Sequence, residues 1–168
     1  LVRGDDLRAG ISRSDIVIHT ANPAKRFYAE KNPHEDFIES VEKTALINRY
    51  AEGKRLILVS SISARTQLDT TYGRNRRSCE LIVNSPNSLI VRLGPMFGAG
   101  KRVGALGDLL NDSTVYVSGS TEYAYVHVAY NARKIVSYLS DDESTGCVEL
   151  GAREGIRLEK LRELLGSS

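Results

Sequence analysis

The sequence predicts an α/β domain in which the strands of a parallel sheet alternate with helices. Three short β-branched and aliphatic runs have the form of strands buried on both faces. The stretches between them repeat their apolar residues at three- and four-residue spacings, which is the helical period. A length of 168 residues, 41% of them hydrophobic, suffices for one sizeable core.

The elements follow in order. Residues 15–21, D-I-V-I-H-T-A, are the first strand and end in small residues. Residues 33–50 then place Phe37, Val41, Ala45 and Leu46 on one face with Glu and Lys opposite, an amphipathic helix entered through Asn32, Pro33 and Glu35. Residues 55–61, R-L-I-L-V-S-S, are the second strand. Residues 72–83 carry Tyr72, Arg76, Cys79 and Val83 along one helical face, with Asn84 as the stop. Residues 88–93, S-L-I-V-R-L, are the third strand, and crossovers of this kind are right-handed in a parallel sheet. The remaining third mixes short strands at 115–117, 125–128 and 147–150 with helices at 131–139 and 158–165.

Composition narrows the partners. Lys and Arg total 23 against 21 Asp and Glu, and both signs are interspersed, so no basic stripe argues for nucleic acid or an anionic membrane. Apolar runs such as 56–59 fall far short of the roughly 20 residues that span a bilayer, and no signal-peptide pattern is present. Cys79 and Cys147 stand far apart without C-x-x-C spacing, which excludes a disulfide-dense scaffold and a cysteine zinc site and fits a reducing, cytoplasmic compartment. His19, His34 and His127 lack metal-ligand spacing, and the strand-like runs around His19 and His127 suit hydrogen-bonded structural histidines. Gly98-Ala99-Gly100-Lys101-Arg102 is no phosphate loop, because Pro95 stands where the first Gly is required and Arg102 where Ser or Thr is; it reads as a turn. Asn111-Asp112-Ser113 matches a glycosylation sequon by pattern alone.

The chemistry concentrates in Ser60-Ser61-Ile62-Ser63 at the end of the second strand and Tyr72-Gly73-Arg74-Asn75-Arg76 at the start of the next helix. A phenol titrates near pH 10, so it exchanges a proton at neutral pH only beside a cation. Arg76, one helical turn on, supplies that cation. Ser61, at a strand end where open α/β sheets bind ligands, is placed to hydrogen-bond the same substrate oxygen.

In this order the residues resemble the extended short-chain dehydrogenase/reductase family, the NAD-dependent epimerases and dehydratases that mostly act on nucleotide sugars. There, a strand ending in Ser-Ser or Ser-Thr precedes Tyr-x-x-x-Lys on a helix, and a further strand runs into an Arg-containing loop that ends in Gly. Ser61, Tyr72 and the run Arg92-Leu93-Gly94-Pro95-Met96-Phe97-Gly98 match. Gly4-Asp5 resembles the family's Gly-Asp beside the adenine ring, and His19-Thr20-Ala21-Asn22 the small-residue turn under the dinucleotide.

The resemblance covers nearly the whole chain and the later part of the family's domain. It implies a doubly wound, Rossmann-like parallel sheet, with a dinucleotide-binding portion at residues 1–100 and a small C-terminal substrate-binding region at 101–168, packed as one compact unit. It implies NAD or NADP as the cofactor, held by Asp5, Ala21, Asn22, Tyr72, Arg76 and Leu93. A nucleotide-linked sugar is the implied substrate, touched by Ser61, Ser63, Arg92 and Pro95, while Arg92 equally suits an ion pair at a strand end. The implied reaction is epimerisation or keto-sugar reduction with Ser61, Tyr72 and Arg76 catalytic; a homodimer stays open.

Three departures stand beside this. Arg76 replaces the family's Lys, Pro95 stands where many of its sugar-nucleotide epimerases carry Asn, and the opening β-α-β unit with its Gly-x-x-Gly-x-x-Gly loop has no counterpart. The chain opens on Leu1 rather than Met, so the expectation is a longer protein whose preceding residues supply that loop. The alternative is a non-catalytic relative with a sensor, scaffold or remnant role.

Overall fold

The computed structural model describes residues 7–83, 85–98 and 104–166. Asp5, the Asn84 helix stop and the turn expected after Gly98 lie outside the described residues. A four-stranded sheet has the order β1-β2-β3-β7, formed by Ile16–His19, Arg55–Ser61, Ser88–Leu93 and Gly146–Leu150. Strands β1 and β2 pair in parallel, Ile16 opposite Arg55 and His19 opposite Leu58.

Helices α1 (Leu7–Ser12), α2 (Arg26–Lys31), α3 (Pro33–Phe37) and α4 (Lys43–Tyr50) surround β1 in the sequence, and α5 (Ser63–Thr66) and α6 (Thr71–Val83) join β2 to β3. A π-helical turn, Ile38–Glu42, links α3 to α4. Leu56, Ile57 and Leu58 are all buried, so β2 is covered on both faces, as its unbroken apolar run requires. Leu56 and Leu58 join Ile11, Val41, Ile47, Cys79, Val83 and Ile90 in one core cluster.

The chain divides into two compact units, Leu1–Arg92 with Ser137–Glu149 and Leu93–Val136 with Leu150–Ser168. Residues 137–149 return to the first unit because β7 extends its sheet, and because Arg55 donates to the carbonyls of Tyr138, Asp141 and Ser144 at 3.2, 2.6 and 2.9 Å.

In the second unit β4 (Met96–Phe97) pairs in parallel with β6 (Val126–His127), and β5 (Glu122–Tyr123) pairs antiparallel with β8 (Ile156–Arg157). Its helices are α7 (Ala105–Leu110), α8 (Val128–Ser137) and α9 (Leu158–Leu165). Among the described residues no helix is long and apolar enough to cross a membrane.

Three elements differ from the sequence reading. Residues 115–117 join no strand ladder, and Tyr116 is 79% exposed. The strand read at 125–128 ends at His127, because α8 starts at Val128 and the His127 Nδ1 caps it by accepting the Ala129 N–H at 3.1 Å. Helical structure does run through 33–50, yet Phe37 is 47% exposed and Leu46 is also outside. Asp36, Ser40, Val41, Thr44 and Ile47 are buried instead. The π turn shifts the helical phase, and the face turned to α6 is polar because α6 buries Asn75 and Arg76 there.

Candidate active site

The start of α6 is capped twice. Thr70 accepts the Gly73 N–H on its Oγ1 at 3.0 Å, the local cap that a Thr before a helix supplies. Glu30, from α2, accepts the Thr71 N–H at 2.7 Å and the Tyr72 N–H at 3.4 Å on Oε1, and the Thr71 hydroxyl on Oε2 at 3.0 Å. With the Arg74 N–H on the Thr70 carbonyl, all four leading amide groups of the helix are satisfied. Gly73 is required by close approach, since a Cβ there would lie 1.9 Å from the Gln67 carbonyl oxygen.

This start holds Tyr72 buried, at 7% exposure, and Arg76 below it is 2% exposed. The Arg76 guanidinium carbon lies 5.0 Å from the centre of the Tyr72 ring, within cation–π range. Arg76 Nη2 donates to Ser40 Oγ on the π turn. Its Nε is buried and has no partner among the described residues. The Tyr72 hydroxyl likewise accepts or donates no hydrogen bond among them.

A polar seam continues from this pair between the helices. Asn75 donates to Asp36 at 2.8 Å. Thr44 Oγ1 meets His19 Nε2 at 2.9 Å and donates to the Ser40 carbonyl at 2.6 Å. Because His19 Nδ1 accepts the Ala21 N–H at 3.3 Å, the ring proton sits on Nε2 and points to Thr44. Burial first, then the charges of Arg76 and Lys43, push the imidazole down to about pKa 4, so His19 is neutral. It is the hydrogen-bonded structural residue that its strand setting suggests.

At the end of β2, Ser61 Oγ accepts the Ser63 N–H and donates to Ser63 Oγ, both at 3.2 Å, which ties the strand end to the first residue of the short α5. Ser60 donates to Glu80 Oε1 at 2.7 Å. Glu80, 1% exposed, also takes two bonds from Arg92, at 2.9 and 2.7 Å, and one from Arg77 at 3.2 Å. Arg92 further reaches Glu149 at 3.2 Å, and Arg65 grips the same carboxylate at 2.8 and 2.9 Å. Arg92 is thus engaged by two carboxylates, the ion-pair role its strand end equally suited.

The structure therefore joins Tyr72 with Arg76 and Ser61 with Ser63, while no hydrogen bond links the two pairs among the described residues. Ala21 and Asn22 form the turn after β1, with the Asn22 N–H on the Thr20 carbonyl at 2.9 Å. Both polar atoms of the Asn22 amide are buried and unpaired among the described residues. Leu93 and Pro95 lie in the second unit, where the Gly94 N–H bonds the Leu150 carbonyl at 2.9 Å and the Pro95 carbonyl accepts from Val126 at 3.1 Å. Glu30, Ser40 and Glu80 escaped the sequence reading. The signal for Glu80 was present, because Tyr72, Arg76 and Glu80 recur at four-residue steps on one helical face.

No protein-family model matches the chain, and no curated protein matches it significantly. Solved structures do. MoeE5 in complex with UDP-glucose and NAD superposes with a TM-score of 0.86 at 13% identity, over 97% of this chain and 65% of that one. An epimerase from Methanothermobacter thermautotrophicus gives 0.84 at 18%, over 98% and 61%. A UDP-glucose 4-epimerase from Thermotoga maritima with UDP-glucose gives 0.78 at 16%, over 95% and 63%. The chain spans less than two thirds of the length of each of these proteins and shares the fold of that part.

Proposed function

We propose that this chain, which has the fold of solved nucleotide-sugar epimerases, is the Ser/Tyr-bearing part of an NAD(P)-dependent oxidoreductase acting on a nucleotide-linked sugar. The observation that carries this reading is the Tyr72–Arg76 pair, a buried phenol at a helix start with a fixed cation against its ring. Tyr72 Oη, without a protein hydrogen-bond partner among the described residues, is the group that gives a proton to or takes one from the sugar oxygen. Arg76, against the Tyr72 ring, stabilises the phenolate form of Tyr72 that this transfer requires. Ser61 Oγ, at the end of β2, orients the sugar hydroxyl.

The residues fit a dinucleotide. The unpaired amide of Asn22 and the unpaired Nε of Arg76 are buried polar groups of the kind that a polyhydroxyl ligand satisfies. Ala21, Asn22, Tyr72 and Arg76 would hold it, with Asp5 and Leu93 as the further contacts the family resemblance supplies. When bound, NAD or NADP supplies hydride transfer. Ser63 and Pro95 are the remaining substrate contacts of this reading, while all three guanidinium nitrogens of Arg92 stand on Glu80 and Glu149.

The test is calorimetric titration of NAD and NADP into the natural protein containing this sequence, alongside its Arg76→Ala variant. Loss of a charged hydrogen-bonding group predicts affinity weakened about tenfold to a hundredfold. Absence of dinucleotide binding, or binding indifferent to Arg76, would overturn the reading.

A further inference from the structure

We infer that Glu30 is a positioning residue that couples the turn after β1 to the helix carrying Tyr72; the inference rests on the reading of Tyr72 given above. Three hydrogen bonds from one helix start converge on this single exposed carboxylate, so both of its oxygens are occupied. An exposed carboxylate ordinarily contributes little through charge alone. Here the geometry is specific, because backbone N–H groups at a helix N-terminus favour an anion.

Helix initiation does not require Glu30, since Thr70 already caps α6 through the Gly73 N–H. What Glu30 adds is a tie between α2 and the Tyr72 backbone. The segment between β1 and α2, residues 20–25, contains Ala21 and Asn22 and no sheet pairing of its own. One end of it is fixed by the β1 ladder. The other is fixed where Ala29 packs away from solvent and Glu30 grips Thr71 and Tyr72. A change at Glu30 therefore moves the turn and the phenol relative to one another, and misplacement by about an ångström is enough to slow a positioned reaction about a hundredfold.

The experiment compares the parent with Glu30→Ala, Glu30→Gln and the double variant Glu30→Ala/Thr70→Asp. Hydrogen exchange of Glu30→Ala should lose about tenfold protection at Thr71 and Tyr72 and also across residues 26–31, with β2 and β3 unchanged. Its kcat on UDP-glucose as the probe sugar nucleotide should fall about tenfold to a hundredfold while the KM for that sugar moves less than about threefold. Glu30→Gln, which keeps one acceptor oxygen, should fall between. The added carboxylate of Thr70→Asp should recover protection at the start of α6 without recovering residues 26–31 or kcat.

Unchanged exchange over 26–31 in Glu30→Ala, or full recovery of kcat by Thr70→Asp, would reduce Glu30 to a helix cap and overturn the proposal. If the parent itself turns over no sugar nucleotide, the enzymatic reading fails instead. The exchange pattern then still decides whether Glu30 couples the two segments.

Discussion

Arg92 grips the buried carboxylate of Glu80 at two points, Nε to Oε1 at 2.9 Å and Nη2 to Oε2 at 2.7 Å. The pair joins β3 to α6, and Ser60 on β2 completes it. Removing one member leaves a buried charge with too few donors. Arg92→Ala should therefore cost about 3 kcal/mol in urea unfolding, at the lower end of the range for broken buried pairs because Arg77 remains. Stability within about 0.5 kcal/mol of the parent, together with lost sugar-nucleotide binding, would assign Arg92 to the substrate instead.

Acid should weaken the fold in two legs. His19 is held down to about pKa 4 from 6.5 by burial and by the charges of Arg76 and Lys43. The unfolded chain then binds the proton first, so stability present above pH 6.5 is lost as pH falls toward 4. The loss over that whole leg is about 3 kcal/mol. Urea midpoints at pH 7, 5.5 and 4.5 read it directly, and a flat profile would mean that His19 protonates without penalty.

The second leg belongs to Glu149. Its hydrogen bonds to Arg65, and secondarily to Arg92, hold its carboxyl at about 2 against 4.5, overcoming partial burial that acts the other way. Its folded pKa is depressed, so its contribution is present above pH 4.5 and fades as pH falls toward 2. The side chain is 37% exposed, which keeps this leg small through solvent screening. Arg65→Ala should raise the Glu149 titration midpoint, as followed by carboxyl carbon NMR. An unmoved midpoint would show that Arg92 alone sets it.

Much of this was legible in the sequence. The three strands stood out because a strand covered on both faces must be apolar throughout, and the α6 face was right because Tyr72, Arg76, Cys79 and Val83 are all buried. The 33–50 face was misread for a physical reason. Periodicity assumes that the buried side is the apolar one, whereas Asp36, Ser40 and Thr44 turn inward to meet Asn75, Arg76 and His19. Glu30 gave no signal, since a carboxylate that caps a helix 41 residues away leaves no local pattern.

Arg76 places Nη2 on Ser40 and its guanidinium carbon 5.0 Å from the centre of the Tyr72 ring. An ammonium has neither the fork nor the plane. Arg76→Lys should accordingly lower turnover about tenfold or more rather than raise it. Increased turnover in this variant would show that an ammonium serves this site better than the guanidinium.

Gly73→Ala should displace the loop that ends at Thr70, because the added Cβ would fall 1.9 Å from the Gln67 carbonyl oxygen, which is backbone and cannot rotate away. A destabilisation of about 2–3 kcal/mol is expected in thermal or urea unfolding. A cost under about 0.5 kcal/mol would show that the loop gives way freely.

Proton transfer by Tyr72 is read by the turnover of Tyr72→Phe on a sugar nucleotide with NAD or NADP, with circular dichroism matched to the parent. The substitution removes one oxygen that no described residue hydrogen-bonds, so the fold should stay as it is. Turnover should fall about 10²-fold or more if Tyr72 Oη moves the proton. Turnover equal to the parent's would remove Tyr72 from the reaction.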